Sequence, residues 1–255
     1  MMLTDTHTHL YYETDATALA ALMERALSQG VSRLFLPNVD TASIPLVMNL
    51  ARRYPENCFP MLGLHPCDVK ENYKEELQQI KDYISQQSIY AIGEIGIDLY
   101  WDKTTLNEQI AAFKTQIAWA KSLNLPIVIH CRDAFEEVYK VLLSEKDDQL
   151  RGIFHCFSGT LEQAQKIIEL DFYLGIGGVV TYKNSGLDAV VAQIPLEHLV
   201  LETDSPYLTP VPFRGKPNES SYLVHIAQKI ADLHQVPLAQ LAQITTQNSQ
   251  KIFGI

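Results

Sequence analysis

This sequence predicts an α/β fold, a closed (β/α)8 barrel. Eight short runs of β-branched and apolar residues alternate with longer helical patterns along 255 residues, and strands that alternate with helices form parallel sheets. A chain of this length is typical of a barrel that forms one domain. No G-x-G-x-x-G motif follows the first run, which disfavours the open dinucleotide-binding sheet. We therefore expect residues 1–255 to form a single barrel domain.

The predicted strands are short and regularly spaced. They cover residues 3–7, 33–37, 59–64, 90–95, 126–130, 152–156, 173–177 and 199–203. The clearest helix spans residues 105–123, where apolar side chains recur every three or four positions and indicate one buried face. Two further helices, residues 221–233 and 237–252, follow the eighth strand, and the second opens with a proline near its first turn.

The composition is that of an ordinary water-soluble protein, and it excludes several classes. The formal net charge is −10 and the pI about 5.2, which argues against a broad basic surface that wraps a polyanion. No run approaches the about 18 consecutive apolar residues that a membrane span needs, and no secretory signal precedes the first strand. The four cysteines have no CxxC spacing, as expected of reduced thiols. We expect a cytoplasmic protein that binds no membrane and needs no protein partner.

Residues able to bind metals fall at the predicted carboxyl ends of the strands. The set comprises His7, His9, His65, Glu94, His130, His155 and Asp204, and it includes five of the eight histidines. Barrel active sites are assembled at this end. Imidazole and carboxylate without thiolate favour Zn, Mn, Fe, Ni or Mg. Six of these residues exceed what one catalytic zinc requires, so we expect two divalent ions, an arrangement that serves phosphate-ester hydrolysis.

Residues next to these candidates have predicted orientations. Cys131 and Cys156 each directly follow a candidate histidine, so strand alternation predicts that both thiols point outward to the helices. Asp5 and Glu202 each stand two residues before a candidate ligand, on the same strand face but deeper. Both are expected to orient an imidazole or to balance the charge of the metal.

Basic residues near the strand ends are candidates for binding a substrate phosphate. Arg132 offers a bidentate guanidinium, and the alternative is an ion pair with Asp133 or Glu136. Residues 210–221 form a Pro- and Gly-containing loop with Arg214, either a solvated loop or part of a phosphate-binding rim.

Several aromatic residues also follow strands. For Tyr11, Tyr12, Tyr100 and Trp101 we expect aromatic packing, with stacking on nucleobases as the alternative.

Motifs along the chain resemble those of one known family. "DTHTHL", "GLHP", "GEIGIDLYW", "PIVIHCRDA", "FHCFSG", "LETDSPYLTP", "RGKPNE" and "TTQNSQKIFG" occur in order from residue 4 to about residue 254. They resemble the signatures of the TatD-like metal-dependent hydrolases, known as deoxyribonucleases. This resemblance implies a TIM barrel of the amidohydrolase-like type.

The resemblance also implies roles for individual residues. His7, His9, Glu94 and Asp204 would hold one metal ion; Glu94, His130 and His155 would hold the second, with Glu94 bridging. His65 would contact the substrate phosphate. The chain departs from the family where Ser220 replaces a frequent proline, and where Gly177 and Gly178 replace a Ser-containing turn. None of these three is a candidate ligand, so the departures concern substrate contacts.

The leading hypothesis is metal-dependent hydrolysis of DNA phosphodiester bonds. Asp204 would accept a proton from the attacking water, while Arg132, His65 and Arg214 would hold the phosphate. Because an acidic protein would hold DNA mainly around the scissile bond, we expect exonuclease-like action on single-stranded or frayed ends. One alternative is another metallohydrolase on this scaffold, acting on an amide, a lactone or an ester such as D-aminoacyl-tRNA. The other is a metal-binding barrel without catalysis.

Overall fold

The computed structural model describes residues 1–255, and a sheet of eight parallel strands forms its centre. The strands are β1 (Leu3–Asp5), β2 (Val31–Pro37), β3 (Cys58–Leu62), β4 (Ala91–Asp98), β5 (Ile127–Arg132), β6 (Gly152–Phe154), β7 (Phe172–Ile176) and β8 (Leu199–Leu201). Each strand pairs with the next one along the chain. This order is that of a barrel built from successive strand–helix units.

Backbone hydrogen bonds join the two ends of this sheet. The Thr6 N–H donates to the Leu201 carbonyl at 2.9 Å, and the Asp204 N–H donates to the His7 carbonyl at 2.9 Å. Thr8 and Ser205 add an isolated parallel bridge. The predicted (β/α)8 barrel is therefore confirmed.

Helices surround the barrel on its outer face. They are α1 (Ala16–Ser28), α2 (Ile44–Arg53), α3 (Tyr73–Ile84), α4 (Leu106–Leu123), α5 (Phe135–Glu145), α6 (Leu161–Glu169), α7 (Leu187–Val191), α8 (Leu223–His234) and α9 (Leu238–Phe253). The three helices predicted individually are present as α4, α8 and α9. None of the nine has the length and apolar character needed to cross a lipid bilayer.

The strand ends differ from the predicted ones in a way that matters for the site. β1, β6 and β8 end before the candidate ligands, so His7, His155 and Asp204 lie in the segments that follow those strands. β4 instead continues beyond Glu94 to Asp98, because its ladder with β5 extends to the pairing of Asp98 with Arg132. Glu94 is therefore held within a strand, while most of its neighbours lie on the loops above.

The barrel interior below these residues is filled by apolar side chains. Val128, Ile153 and Val200 point inward from three strands, two positions before His130, His155 and Glu202. At the far end α9 closes the barrel, where the Phe253 ring stacks on the Phe35 ring with centroids 3.7 Å apart. The polar residues are thereby confined to the carboxyl end of the strands.

Candidate metal centre

Glu94 lies at the centre of the polar cluster, and its Oε2 atom faces the residues from β1 and β8. This oxygen is 3.1 Å from His7 Nε2 and 4.0 Å from His9 Nε2. The Asp204 Oδ1 atom completes this side, 3.4 Å from His9 Nε2 and 3.9 Å from His7 Nε2. The segments that close the barrel thus bring two imidazoles and two carboxylates together.

The other oxygen of Glu94 faces one residue within β5 and two residues that follow β3 and β6. Glu94 Oε1 is 2.7 Å from His130 Nδ1, 3.4 Å from His65 Nε2 and 3.5 Å from His155 Nε2. The two oxygens of one carboxylate therefore face two different sets of imidazoles. This is the geometry expected of a carboxylate that can contact two cations at once.

Three overlapping groups within the cluster have ligand atoms close enough together to share one ion. His7, His9 and Glu94 form one group, which belongs to the first ligand set that the family resemblance implies. The others are His65, Glu94 and His130, and His7, His155 and Asp204. His65, expected to bind the substrate phosphate, is 3.2 Å from His130 Nδ1. The His155 ring stacks on the His7 ring with centroids 3.6 Å apart. His65 is thus as well placed for a metal as for a phosphate.

Asp98 supports the cluster and was missed from the sequence. Its Oδ2 atom is 2.8 Å from His130 Nε2, so both ring nitrogens of that histidine face carboxylates. Its Oδ1 atom accepts the backbone N–H groups of Tyr100 and Trp101 at 2.9 and 3.1 Å. Asp98 follows Glu94 by four residues on the same strand, and this even spacing was the available signal.

Glu202 and Asp5, which were given the same expected role, differ in what they contact. Glu202 Oε1 is 3.0 Å from His155 Nδ1 and accepts the Cys156 N–H at 2.5 Å. Gly175 leaves room for it, since a Cβ there would overlap Glu202 Oε2. Asp5 contacts no imidazole. It accepts the N–H and the hydroxyl of Thr203 at 2.9 and 2.6 Å, and so joins β1 to the segment after β8.

The predicted orientation is right for one cysteine and wrong for the other. Cys131 lies within β5 and packs against the outer hydrophobic core. Cys156 follows the end of β6 and has a left-handed backbone with φ 49°, so strand alternation no longer applies to it. Its Sγ atom lies with His155 and Glu202 close enough to share an ion. The Cys156 thiol therefore faces the polar cluster.

The two candidate phosphate-binding arginines lie in different places. Arg132 forms no salt bridge, so the alternative ion pair with its acidic neighbours is wrong. Its guanidinium instead lies 3.8 Å from the centroid of the Tyr100 ring. Arg214 lies 3.9 Å from the Tyr182 ring centroid and lines a separate cavity of about 360 Å³.

The aromatic residues divide between packing and exposure. Tyr11 is buried and its hydroxyl lies 2.8 Å from His9 Nδ1, as the packing expectation requires. Tyr100 and Trp101 are 53% and 70% exposed. These two rings pack edge to face on each other, with centroids 4.9 Å apart, but they are not part of the buried core.

Charges within the cluster shift the pKa values of the carboxylates downward. Burial alone would raise the pKa of Glu94, but the imidazoles of His65, His155 and His7 hold it well below its usual range. Burial likewise opposes ionisation of Asp204, yet the hydrogen bond from His9 and the nearby histidines lower its pKa. Both carboxylates are thus ionised at neutral pH.

The pKa values of the imidazoles shift in opposite directions. Burial disfavours charge on His155, but the carboxylates of Glu202 and Glu94 outweigh it and raise the pKa of His155 to about 10. Asp98 and Glu94 likewise raise the pKa of His130 against the effect of burial. His7 differs, because burial and the nearby His155 lower its pKa. The protons on His155 and His130 therefore supply positive charge that balances the neighbouring carboxylates.

The side chains fit divalent metal ions. Both ring nitrogens of the buried His7 have no hydrogen-bond partner; Nε2 lies near Glu94 Oε2 without the alignment of a hydrogen bond. A buried polar group without a partner is costly, and a cation between these residues would remove that cost. Imidazole nitrogens and carboxylate oxygens are ligands that zinc and manganese accept.

A groove opens beside His9 of the cluster. It has a volume of about 620 Å³ and runs between α1 and the loop after β8. His9 lines its inner end, and the Arg25–Glu219 ion pair lines it farther out. The polar cluster is therefore next to a surface groove.

Comparison with known proteins identifies the family. The sequence profile of the family described as TatD related DNase matches residues 4–254. The chain belongs to this family. The TatD-family assignment agrees with the resemblance of the motifs, and it makes the protein a member of a family of metal-dependent hydrolases.

Individual TatD-family relatives match over nearly the whole chain. The uncharacterized metal-dependent hydrolase YabD of Bacillus subtilis (strain 168) is 41% identical over 255 residues, which cover all of both chains. The 3'-5' ssDNA/RNA exonuclease TatD of Escherichia fergusonii is 36% identical and covers 92% of each chain. The crystal structure of the TatD homolog YjjV from Escherichia coli K12 superposes with a TM-score of 0.93 at 28% identity, covering 99% of this chain and 98% of that one.

Proposed function

We propose that this protein is a divalent-metal-dependent nuclease that hydrolyses DNA phosphodiester bonds from single-stranded or frayed ends. The observation that carries the proposal is Glu94, whose two oxygens face two sets of imidazoles. Paired cations on a shared carboxylate suit phosphodiester hydrolysis. The similarity to an exonuclease that acts on single-stranded DNA and RNA supports the choice of substrate.

The candidate ligands would hold two divalent ions, zinc, magnesium or manganese. His7, His9, Glu94 and Asp204 would hold one, and Glu94, His130 and His155 would hold the other. His65 lies within reach of the second group. Bound divalent ions supply positive charge that polarises a phosphoryl oxygen and makes the attacking water more acidic.

Asp204 is proposed to transfer the proton. Its side chain is 13% exposed, the most accessible of the four acidic side chains that lie near the histidines. Because its pKa is lowered, it is ionised at neutral pH and accepts a proton from the attacking water. The same carboxyl group then donates that proton to the leaving oxygen. The Asp204 N–H bonded to the His7 carbonyl fixes its position.

Substrate contacts are proposed for basic residues around the opening. The Arg132 guanidinium has no carboxylate partner and can bind a phosphate oxygen. His65 has access to the same side of Glu94, and Arg214 would contact a more distant phosphate. With a net charge of −10, the protein lacks the broad positive surface needed to grip a long duplex, which favours strand ends.

The experiment is nuclease activity on end-labelled single-stranded and double-stranded DNA and on RNA, with Mg, Mn or Zn. We compare the wild type with Glu94→Gln and with Glu162→Gln, the same chemical change at an exposed position on α6. We expect the wild type and Glu162→Gln to release terminal nucleotides. Since the bridging charge contributes several kcal/mol, Glu94→Gln should lose about a thousandfold in kcat/KM.

Four results would contradict the proposal. Equal activity of Glu94→Gln and wild type would show that hydrolysis does not depend on the Glu94 carboxylate. Release of internal fragments from plasmid DNA without terminal nucleotides would contradict exonuclease-like action. Hydrolysis confined to an amide, a lactone or a carboxyl ester would indicate a different metallohydrolase, and fewer than one divalent ion per chain after metal-supplemented purification would indicate a barrel without this chemistry.

A further inference from the structure

Two large aromatic side chains are exposed beside the metal-ligand cluster. Tyr100 and Trp101 are 53% and 70% exposed and lie between β4 and α4. Their rings meet edge to face with centroids 4.9 Å apart. Burial in a hydrophobic core does not account for two adjacent rings at this position.

The backbone that carries these rings is tied to the cluster through Asp98. One oxygen of Asp98 accepts the N–H groups of Tyr100 and Trp101, and the other lies 2.8 Å from His130 Nε2. His130 in turn contacts Glu94 at 2.7 Å. The aromatic pair is therefore held near the candidate metal ligands by bonds to its main chain that do not involve either ring.

A cation lies against the same pair. The Arg132 guanidinium carbon is 3.8 Å from the centroid of the Tyr100 ring and 5.5 Å from that of Trp101. Arg132 pairs with Asp98 in the β4–β5 ladder, so it emerges at the same point of the barrel. A guanidinium without a carboxylate partner suits a phosphate, and exposed ring faces suit a nucleobase. One nucleotide offers both groups.

We propose that Tyr100 and Trp101 form a stacking platform for an unpaired nucleobase beside the scissile phosphodiester, while Arg132 binds a phosphate of the same strand. The platform rests on the proposed nuclease function and adds base recognition to it. Stacking tolerates every base but requires that the base be unpaired. The platform would thus select single strands and frayed ends without selecting sequence.

The first test compares two substrates with the same backbone. We measure KM for the oligothymidylate (dT)5 and for an abasic oligomer of equal length, using Trp101→Ala, the conservative Trp101→Phe and the control Tyr83→Ala, an exposed aromatic on α3. Loss of stacking should raise KM for (dT)5 in Trp101→Ala by about tenfold. In Trp101→Ala, KM for the abasic oligomer should not rise. KM for (dT)5 should be close to the wild-type value in Trp101→Phe and unchanged in Tyr83→Ala.

The second test measures base contact without catalysis. The chain has two tryptophans, and Trp119 packs against the outer core, so Trp119→Phe leaves Trp101 as the only reporter. Phosphorothioate-linked (dT)5 should quench its fluorescence to saturation, whereas the abasic oligomer should leave the emission unchanged. Removing the Trp101 side chain does not remove its backbone N–H, so the bond to Asp98 is retained in the kinetic variants.

The outcomes separate the platform from the nuclease function. If the wild type cleaves DNA while Trp101→Ala keeps its KM for (dT)5, the platform is wrong and the nuclease function stands. Absence of quenching by (dT)5 also overturns the platform. If (dT)5 quenches the Trp101 fluorescence but the protein cleaves no nucleic acid, the base-binding site is supported and the proposed nuclease function is wrong.

Discussion

The lower and upper halves of the barrel interior are built by the same strands but have opposite chemistry. Val128, Ile153 and Val200 fill the lower half, and the ring of Phe253 closes it from below. Two positions farther along the chain stand His130, which lies within β5, and His155 and Glu202, which directly follow the ends of β6 and β8. An apolar layer thus lies directly beneath the histidine–carboxylate cluster.

Apolar burial in the lower half offsets the free-energy cost of burying charged groups in the upper half. The lower half supplies stability through apolar burial, while the upper half contains buried carboxylates and imidazoles, three of whose ring nitrogens lack a hydrogen-bond partner. Charged groups taken out of water cost free energy unless they are paired or bind a cation. Changes in the lower half should therefore affect folding, and changes in the upper half should affect metal binding and activity.

The largest expected effect on stability comes from the lower half. Phe253→Ala removes a ring that stacks on Phe35, and such a truncation in a core costs about 3 kcal/mol of unfolding free energy. Urea denaturation followed by circular dichroism measures this loss. At a temperature where the variant is folded, its kcat should remain within a factor of about two of the wild type, since the alteration lies at the far end of the barrel. A large fall in kcat would show that the two halves are coupled.

In the upper half, Glu202→Gln is expected to have a smaller effect, which is a loss of metal affinity. The carboxylate lies 3.0 Å from His155 Nδ1, and loss of a group that orients a metal-binding histidine reduces metal affinity by about 10- to 100-fold. Isothermal titration with Mn or Zn measures the change. Glu197→Gln, at an exposed residue near the start of β8, is the matched control. Metal affinity that is equal in Glu202→Gln and wild type would contradict the orienting role.

The smallest expected effect is a pH dependence of stability, which should differ between the metal-free and the metal-loaded protein. Because the pKa of His155 is raised to about 10, its proton stabilises the metal-free fold. That contribution is complete below the unfolded pKa of about 6.5 and is lost as the pH rises toward 10. Metal binding requires neutral imidazole, so metal affinity should rise by up to about tenfold per pH unit for each proton released.

Thermal unfolding at pH 6.5 and pH 9 tests this expectation. The metal-free protein should lose stability between the two pH values, and the metal-loaded protein should lose less. Glu202→Gln removes the main carboxylate that raises the pKa of His155, so its metal-free form should show a weaker dependence. Calorimetry in buffers of different ionisation enthalpy measures the protons released on binding, and a release of zero would contradict the assignment.

Much of the upper half could be predicted from residues alone, but its detailed contacts could not. Strand periodicity and the position of each histidine after an apolar run placed the candidate ligands at one end of the barrel. The even spacing of Asp98 from Glu94 predicts only that both side chains lie on the same strand face, and it does not reveal the imidazole of His130 beside Asp98. Strand alternation predicts an outward Cys156 only if β6 continues to that residue, and β6 ends at Phe154.

The order of the strands and helices, the closed barrel and the end that carries the polar residues can all be predicted from the residues alone. These features follow from local hydrophobic patterns, which act over a few neighbouring residues. The atoms that meet within the site are known only from the folded molecule: Glu94 faces two sets of imidazoles, His65 lies beside His130, and Arg132 lies on an exposed aromatic pair. No local pattern predicts these contacts, because they join residues from different strands and loops whose positions are set by the closure of the whole barrel.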